Sequence, residues 1–451
     1  MSSASRSGRK WRGMVAVVGG ILINLSIGIY TTFGNLSPYL TSYIRKRSKP
    51  SNLTYEMATW IFTSGGIMQA ICVYLGGLLD NKFGARLTVF IGSTILSAGV
   101  LLTYFSIKYS FYLVIITYGV MIGIGGSFAY GTVITCGMRW FPQHKGIVSG
   151  LVATGIGGSS LLFNQLQTAY INPKNLLPTE TPAGKYFDQK EILDRTPTCF
   201  LFLGGCCIVL QLIGTLFMVD PPESEILSLN RESTSERLHI VSKGDEKDSR
   251  SSGNNLKPSA VVRTRAFWTL WFTFALNMVT DVLVSSMYKV FGQNFILDDH
   301  FLALVGSIAS VLGCLCRVVW GYLGDRFSFR AAMLFLCTNT VVLMVTFILT
   351  REAGKAMFAI WVCAIQSTFV GQFVLFPMAA ARSFGEENAG PNYGILFTSV
   401  LASIVTETLV VYFLFQHIGW IGLFNFCAGC SLVGGILTFT FDVKTPKGRD
   451  I

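Results

Sequence analysis

The chain has 451 residues, of which 51% are hydrophobic and 13% are charged, and its mean hydropathy is +0.53. An ordinary soluble protein carries about 25% charged residues. The composition therefore excludes a disordered protein, a secreted disulfide scaffold and an ordinary cytosolic enzyme, and it predicts a polytopic membrane protein. The net charge of +11 is spread thinly. No segment is basic enough to cover a nucleic-acid groove, so we expect a lipid bilayer and no nucleic acid as partner.

Twelve apolar runs are long enough to cross a membrane, since a spanning helix needs about 20 mostly apolar residues. The first six runs are 14–36, 57–79, 86–106, 110–134, 146–170 and 199–219. The second six are 267–291, 301–323, 331–350, 356–381, 393–415 and 418–440. They divide the chain into an N-terminal tail (1–13), a six-helix bundle (14–219), a flexible polar linker (220–265), a second six-helix bundle (266–440) and a C-terminal tail (441–451). The predicted fold class is an all-α polytopic membrane protein.

The basic residues indicate how the chain is oriented. If the N-terminus is cytosolic, 22 of the 35 Lys and Arg residues fall in the cytosolic segments, as the positive-inside rule requires. Arg45, Lys46 and Arg47 argue against this orientation, because they would lie outside. An even number of spans still places both basic termini on one side. We therefore predict cytosolic termini, in the plasma membrane rather than in an organelle.

Two loops at corresponding places in the two bundles are alike. Asp80, after the second run, and Asp325, after the eighth, each lie four residues past a glycine and precede basic residues, Arg86 in one loop and Arg326 and Arg330 in the other. Such an acid can cap a neighbouring helix and pair with a basic residue, so these five residues form a candidate conformational latch. Two homologous six-helix halves joined by a polar linker are typical of a transporter.

The two loops resemble the cytosolic signature of the major facilitator superfamily. Segments 139–142 (RWFP) and 391–394 (PNYG) resemble its oxalate:formate antiporter-like and monocarboxylate porter branch. The resemblance implies two six-helix bundles around a central cavity. It also implies secondary active transport of small organic anions by alternating access, coupled to protons or to a counter-transported anion.

Ionisable residues inside the spans are scarce, and each costs at least a few kcal/mol at a helix centre. Arg317 is expected to be the only basic residue deep in a span, on a face of small residues that points into the protein. Its planar fork of donors matches a carboxylate, and its position resembles that of the family's substrate-binding arginine. The alternative is a structural ion pair. Asp281 and Glu407 are candidates for coupling or for pairing with Arg317.

Four further residues are candidates for substrate binding, with ordinary helix packing as the alternative. Asn24 and Tyr30 lie in the first span, Tyr130 in the glycine stripe of the fourth, and Gln372 beside aromatic residues in the tenth. Tyr130 also resembles a cavity tyrosine of the oxalate-transporting relatives.

The chain departs from the family in two places that bear on the substrate. The eleventh span lacks the second basic residue of oxalate transporters, which favours a monocarboxylate over a dianion. Gly313 stands where animal monocarboxylate porters carry an aspartate, so their proton-coupling group is missing. A membrane sensor on the same fold and a transporter of another small solute stay open. No nucleotide loop, metal-ligand cluster or nucleophile triad is found, so we expect no enzyme, cofactor or metal.

Overall fold

The structure is a computed structural model that describes residues 3–141, 145–181, 184–221, 256–384 and 389–441. Nearly all of the described residues are helical. Most of the predicted linker and all but one residue of the predicted C-terminal tail lie outside these ranges.

The helices of the two halves follow one another in chain order. The first half contains α1 (Ser3–Ile27), α2 (Phe33–Arg47), α3 (Tyr55–Phe83), α4 (Ala85–Tyr109), α5 (Phe111–Val114), α6 (Ile122–Trp140), α7 (Lys145–Ile171) and α8 (Lys190–Phe217). A 3₁₀ turn, Gly28–Thr32, joins α1 to α2, and a π-helical turn, Ile115–Met121, joins α5 to α6. The second half contains α9 (Pro258–Val261), α10 (Arg265–Gly292), α11 (Asp299–Arg326), α12 (Phe329–Phe347), α13 (Thr350–Ala353), α14 (Lys355–Phe369), α15 (Gln372–Phe384), α16 (Ala389–Leu396) and α17 (Thr398–Phe439).

Nine segments of the described residues are long and apolar enough to span a membrane. They are Lys10–Arg47, Ala85–Tyr109, Phe111–Trp140, Lys190–Phe217, Arg265–Gly292, Asp299–Gly324, Phe329–Phe347, Lys355–Phe384 and Asn392–Phe439. The last segment has 48 residues and is interrupted at Gly419, whose φ of 58° lies in the left-handed region. The all-α membrane fold is thus confirmed, whereas the number twelve stays a prediction.

Polar side chains fix where several helices begin. Thr264, Asp298 and Ser328 each accept a hydrogen bond from a backbone N–H three residues later, at 3.0 to 3.2 Å, at the starts of α10, α11 and α12. These bonds satisfy amides that a helix start leaves without partners. Between α3 and α4 the chain turns at Gly84, whose φ of 80° is one that a side chain would strain.

The apolar core is divided between the halves. One buried cluster lies in the first half and two lie almost wholly in the second. The halves meet where α10 packs on α2, α11 on α7, and α17 on α3. The site described below lies along these contacts.

A short hairpin in the loop before α8 is the described exception to the all-α prediction. Strand β1 (Thr179–Thr181) pairs antiparallel with β2 (Gly184–Tyr186). The ring of Tyr186 stacks on Tyr55 at 4.7 Å, and the Arg45 guanidinium lies 4.7 Å above it. We call this the hairpin side of the molecule, and the opposite end, which carries the Gly84 turn and the start of the linker, the linker side.

Candidate functional site

Arg317 lies on the face of α11 that is turned into the protein. Its neighbours Leu315, Val318 and Val319 are exposed large apolar residues, as expected for a lipid-facing surface, whereas Arg317 is half-buried. Its Nε atom is buried and has no hydrogen-bond partner among the described residues. The prediction that this face points inward therefore agrees with the structure.

Two phenols lie within electrostatic range of the Arg317 guanidinium. One belongs to Tyr130 on α6 of the first half, and the other to Tyr393 on α16 of the second. The sequence predicted Tyr130 as a site residue, but Tyr393 was noted only as part of a family motif. A guanidinium can bind a carboxylate through its paired N–H donors, and hydroxyl groups in the same region can supply further donors.

Asp281 on α10 lies in a separate small pocket of the second half. Its Oδ1 accepts a hydrogen bond from Ser285 Oγ at 3.2 Å. The pocket is also lined by Gln372, Asn277 and Thr280. Gln372 is 2% exposed, and its Oε1 has no partner in the described part of the chain. The structure thus brings Asp281 and Gln372 together in one pocket, whose lining does not include Arg317.

Glu407 is buried on α17 among hydroxyl groups. It accepts hydrogen bonds from Ser286 at 3.4 Å and from Thr408 at 3.3 Å. Neither Glu407 nor Asp281 has a basic group among its described electrostatic partners. Pairing with Arg317, one of the two alternatives for these acids, is thus not seen among the described residues, where both acids accept hydrogen bonds from hydroxyl groups.

Two predicted residues of the first span make packing contacts. Asn24 is fully buried, and its Nδ2 donates to the Val152 carbonyl of α7 at 2.9 Å. The Tyr30 hydroxyl donates to the carbonyl of Phe62, and the two rings stack at 4.6 Å. Asn24 thus ties α1 to α7, and Tyr30 ties the end of this span to α3.

A second buried basic residue corrects the prediction that Arg317 is alone. Lys289 on α10 is fully buried, and its Nζ lies 2.8 Å from Oδ1 of Asp299. Lys289 falls inside the predicted span 267–291, in the last turn of α10, which ends at Gly292. It is buried because the first half packs against it there.

The Lys289–Asp299 pair bonds to three residues of the first half. Lys289 Nζ donates to Asn35 Oδ1 at 2.8 Å and to the Tyr39 hydroxyl at 3.1 Å. Asp299 accepts from the Tyr39 hydroxyl and from Asn172 Nδ2, the latter at 3.0 Å. We call these five residues the outer clamp. A buried ion pair needs such additional hydrogen bonds to offset its desolvation.

Further hydrogen bonds join the halves near the outer clamp. Asn175 Nδ2 donates to Asp298 at 3.0 Å, and Gln165 Nε2 donates to Ser307 at 3.1 Å. His300 Nε2 lies 2.7 Å from the Asn172 carbonyl. The described hydrogen bonds between the halves run from the middle of the molecule to the hairpin side. The space beside Arg317 is therefore closed toward that side.

The latch residues of the first half are paired differently from the prediction. Asp80 is buried and bonded by Arg139 at 2.6 Å, and Arg139 also binds Asp220 at 3.0 Å. Asp220 in turn accepts from the backbone amide of Ala85 at 2.7 Å. Arg86 is exposed, and Asp80 pairs with Arg139 instead because that guanidinium projects from α6 beside it. We call Asp80, Arg139 and Asp220 the charge bridge; it lies within the first half.

The corresponding residues of the second half are described only in part. Arg326 donates to the Tyr322 hydroxyl at 2.7 Å, and Arg330 donates to the Phe439 carbonyl at 2.7 Å. The side chain of Asp325 lies outside the described residues. Its role in the latch stays a prediction.

Comparison with known proteins places the chain in a family. The profile of the Major Facilitator Superfamily matches residues 13–405. The chain belongs to that superfamily. It is 28% identical to apicoplast pyruvate carrier 1 of Toxoplasma gondii, over 99% of this chain and 92% of the carrier. It is 22% identical to the oxalate:formate antiporter of Oxalobacter formigenes, over 75% of this chain and 71% of the antiporter.

The solved structures agree on the fold. The crystal structure of a D-xylose-proton symporter is 14% identical and superposes with a TM-score of 0.65, covering 97% of this chain and 99% of that one. At this identity the likeness shows the fold alone. Together with the superfamily match, it makes the chain a multi-pass membrane transporter of small solutes and not an enzyme. The predicted resemblance is confirmed.

The charge bridge gives a prediction for the transport cycle of this superfamily member. Asp80→Asn keeps the shape of the side chain but weakens charge-assisted bonds to Arg139, with an expected loss of about 1–3 kcal/mol. We expect lower thermal stability and slower turnover, with little change in substrate affinity, because the lost bonds hold α3 against α6 and do not involve Arg317. Arg86→Gln is the control, because Arg86 is exposed. Unchanged thermal stability and transport rate in Asp80→Asn would show that Asp80 contributes only to a turn.

Proposed function

We propose that the chain is a secondary active transporter of small monocarboxylates, that it works by alternating access, and that Arg317 binds the substrate carboxylate. The observation that carries the proposal is the guanidinium itself. It is half-buried, two phenols lie within electrostatic range of it, and its Nε has no partner among the described residues. A bound carboxylate supplies the acceptor and the opposite charge.

The charge balance of the spans supports a singly charged substrate. Lys289 is neutralised by Asp299 at 2.8 Å, and Arg139 is paired with Asp80 and Asp220. Of these three cations, Arg317 alone has no acid within 4 Å in the described ranges. The one unpaired positive charge at Arg317 matches one carboxylate, whereas a dianion would bring a further negative charge without a partner into a medium of low dielectric.

The names of the relatives support the same class of substrate. Pyruvate is a monocarboxylate, and the Oxalobacter protein exchanges oxalate for formate, by its name. The neutral-solute alternative rests on the fold alone, which a xylose symporter shares. A membrane sensor on the same fold is the other alternative.

The closed hairpin side indicates which conformational state of the transport cycle the structure represents. With twelve spans and cytosolic termini, as we propose, the hairpin side faces away from the cytosol. The structure then corresponds to an inward-facing state of alternating access. Asp281 and Glu407 are acids without a described basic partner and are candidates for carrying a coupling proton. Anion exchange needs no such group. The plasma membrane stays our proposal, although the Toxoplasma relative is named for an organelle.

Uptake by proteoliposomes tests the proposal. We expect radiolabelled formate, lactate, pyruvate and short fatty acids to enter faster than oxalate because, of Lys289, Arg139 and Arg317, Arg317 alone has no acid within 4 Å in the described ranges. Each substrate is measured with and without a pH gradient, and with and without an internal anion, which separates proton symport from exchange. Liposomes without protein are the control. Uptake of oxalate above every monocarboxylate would contradict the monoanion assignment, and uptake restricted to neutral solutes would contradict the whole proposal.

A further inference from the structure

A polar pocket lies between the two halves. Its lining includes Thr31, Ser160, Asn164, Tyr288, Gly306 and Gln366. The first three belong to the first half and the other three to the second. A molecule in this pocket therefore contacts both of the units that move relative to each other in alternating access.

The pocket lies on the hairpin side of Arg317. Its lining also includes Ser310, which is seven residues before Arg317 on α11. Seven residues are two helical turns, so both lie on one face, about 10 Å apart along the axis. Long helical side chains lean toward the helix N-terminus. We therefore expect the Arg317 side chain to extend toward the pocket, so that one small organic anion can reach both.

Several buried polar atoms of the lining lack partners. Tyr288 and Asn164 are 7% and 3% exposed. The Tyr288 hydroxyl, Asn164 Oδ1 and Gln366 Oε1 have no hydrogen-bond partner among the described residues. Buried polar groups are nearly always hydrogen-bonded, and those that are not call for an explanation. Three such atoms from three helices around one cavity are explained by a polar ligand.

Gly306 keeps the polar groups close together. A Cβ atom at this position would collide with the Tyr288 hydroxyl and lie 3.1 Å from Asn164 Nδ2. Only glycine, which has no side chain, leaves room for the Tyr288 hydroxyl and the Asn164 amide to lie against the backbone of α11 at this position. The closeness of the two groups is thus built into the sequence of α11.

We propose that this pocket binds a neutral oxygen of the substrate while Arg317 holds its carboxylate, so that the transporter selects carboxylates bearing a carbonyl or hydroxyl group. This inference rests on the proposed function. The named lining residues carry hydroxyls and amides and no charge, which suits a neutral group and disfavours a second carboxylate. The Tyr288 hydroxyl can donate to a carbonyl, and Asn164 Oδ1 can accept from a hydroxyl. A site built to hydrogen-bond a substrate oxygen discriminates against an analogue that lacks it.

The test compares matched substrates that differ in this oxygen. Pyruvate and lactate carry it, and propionate does not. We expect the wild type to take up pyruvate and lactate in preference to propionate, and Tyr288→Phe to lower the ratio of pyruvate to propionate uptake about tenfold, the effect of losing one hydrogen bond. Asn164→Ala should lower the ratio of lactate to propionate uptake. Tyr112→Phe, an exposed tyrosine on the hairpin side, is the control.

The ratio is internal to each protein preparation, so a partial loss of folded protein does not disturb it. Competition binding with purified protein gives the same ratio for a variant that does not transport. If the uptake ratios of Tyr288→Phe and Asn164→Ala equal those of the wild type, the pocket does not bind the substrate oxygen, and Arg317 alone remains as the proposed carboxylate site. A wild type that binds and transports no carboxylate would overturn the proposed function and the pocket with it.

Discussion

Arg317→Gln is expected to lower substrate affinity about a hundredfold and to abolish uptake. The substitution removes the positive charge and the paired donors, and a charge-assisted hydrogen bond is worth about 1.5–3 kcal/mol. Arg317→Lys keeps the charge but loses the planar fork, so its affinity should lie between those of Arg317→Gln and the wild type. Scintillation proximity with purified protein measures the affinity, and proteoliposomes measure uptake.

Two controls separate binding from folding in this experiment. Arg351→Gln removes a positive charge from an exposed position and should leave affinity at the wild-type value. Thermal unfolding without substrate should change little in Arg317→Gln, since the guanidinium has no described acid partner to lose. Equal affinity of the wild type and Arg317→Gln would make Arg317 a structural residue and remove it from the site.

Lys289→Met is expected to have the largest effect on stability. The substitution leaves the Asp299 carboxylate buried without its cation and takes the donor from Asn35 and Tyr39. Breaking a buried ion pair by removing one partner costs about 3–5 kcal/mol. We expect a marked fall in the thermal unfolding temperature, measured in detergent without substrate. Lys355→Met, at an exposed lysine on the hairpin side, is the control.

The double variant Lys289→Met/Asp299→Leu separates stability from closure. With both charges replaced by apolar groups of similar volume, much of the lost stability should return. The clamp bonds to Tyr39 and Asn172 stay absent, however, so the hairpin side should open more often. Reagents added from that side should then label a cysteine introduced at Ser310 faster than in the wild type. Full stability of Lys289→Met alone would show that the ion pair contributes nothing to the fold.

Local patterns were sufficient to predict much of the fold. Apolar length predicted the membrane segments, and helical spacing to glycines placed Arg317 on an inward face. The hairpin was not foreseen, because strands of three residues at 179–181 and 184–186 carry no alternating pattern. Its position depends on tertiary contacts, such as the stacking of Tyr186 on Tyr55.

The site was predicted less completely, because its contacts join residues far apart in the chain. Arg86 follows Asp80 closely in sequence, but the actual partner of Asp80 is Arg139, 59 residues away. Lys289 was not predicted as a site residue because it lies near the end of a predicted span, and its bonds to the first half join residues about 250 positions apart. Asp299, ten residues after Lys289, was a nearby acid that could have indicated the ion pair.

The charge bridge has a sequence counterpart in the second half of the chain. The same residue types recur at the ends of the corresponding helices in the second half of the sequence, as Asp325, Arg382 and Asp442. The sequence therefore repeats an acid, an arginine and a second acid at matching places in the two halves. Eight residues before the acid, by contrast, the first half has Cys72 and the second has Arg317. The two halves thus share these three charged residue types and differ at the position of the residue proposed to bind the substrate.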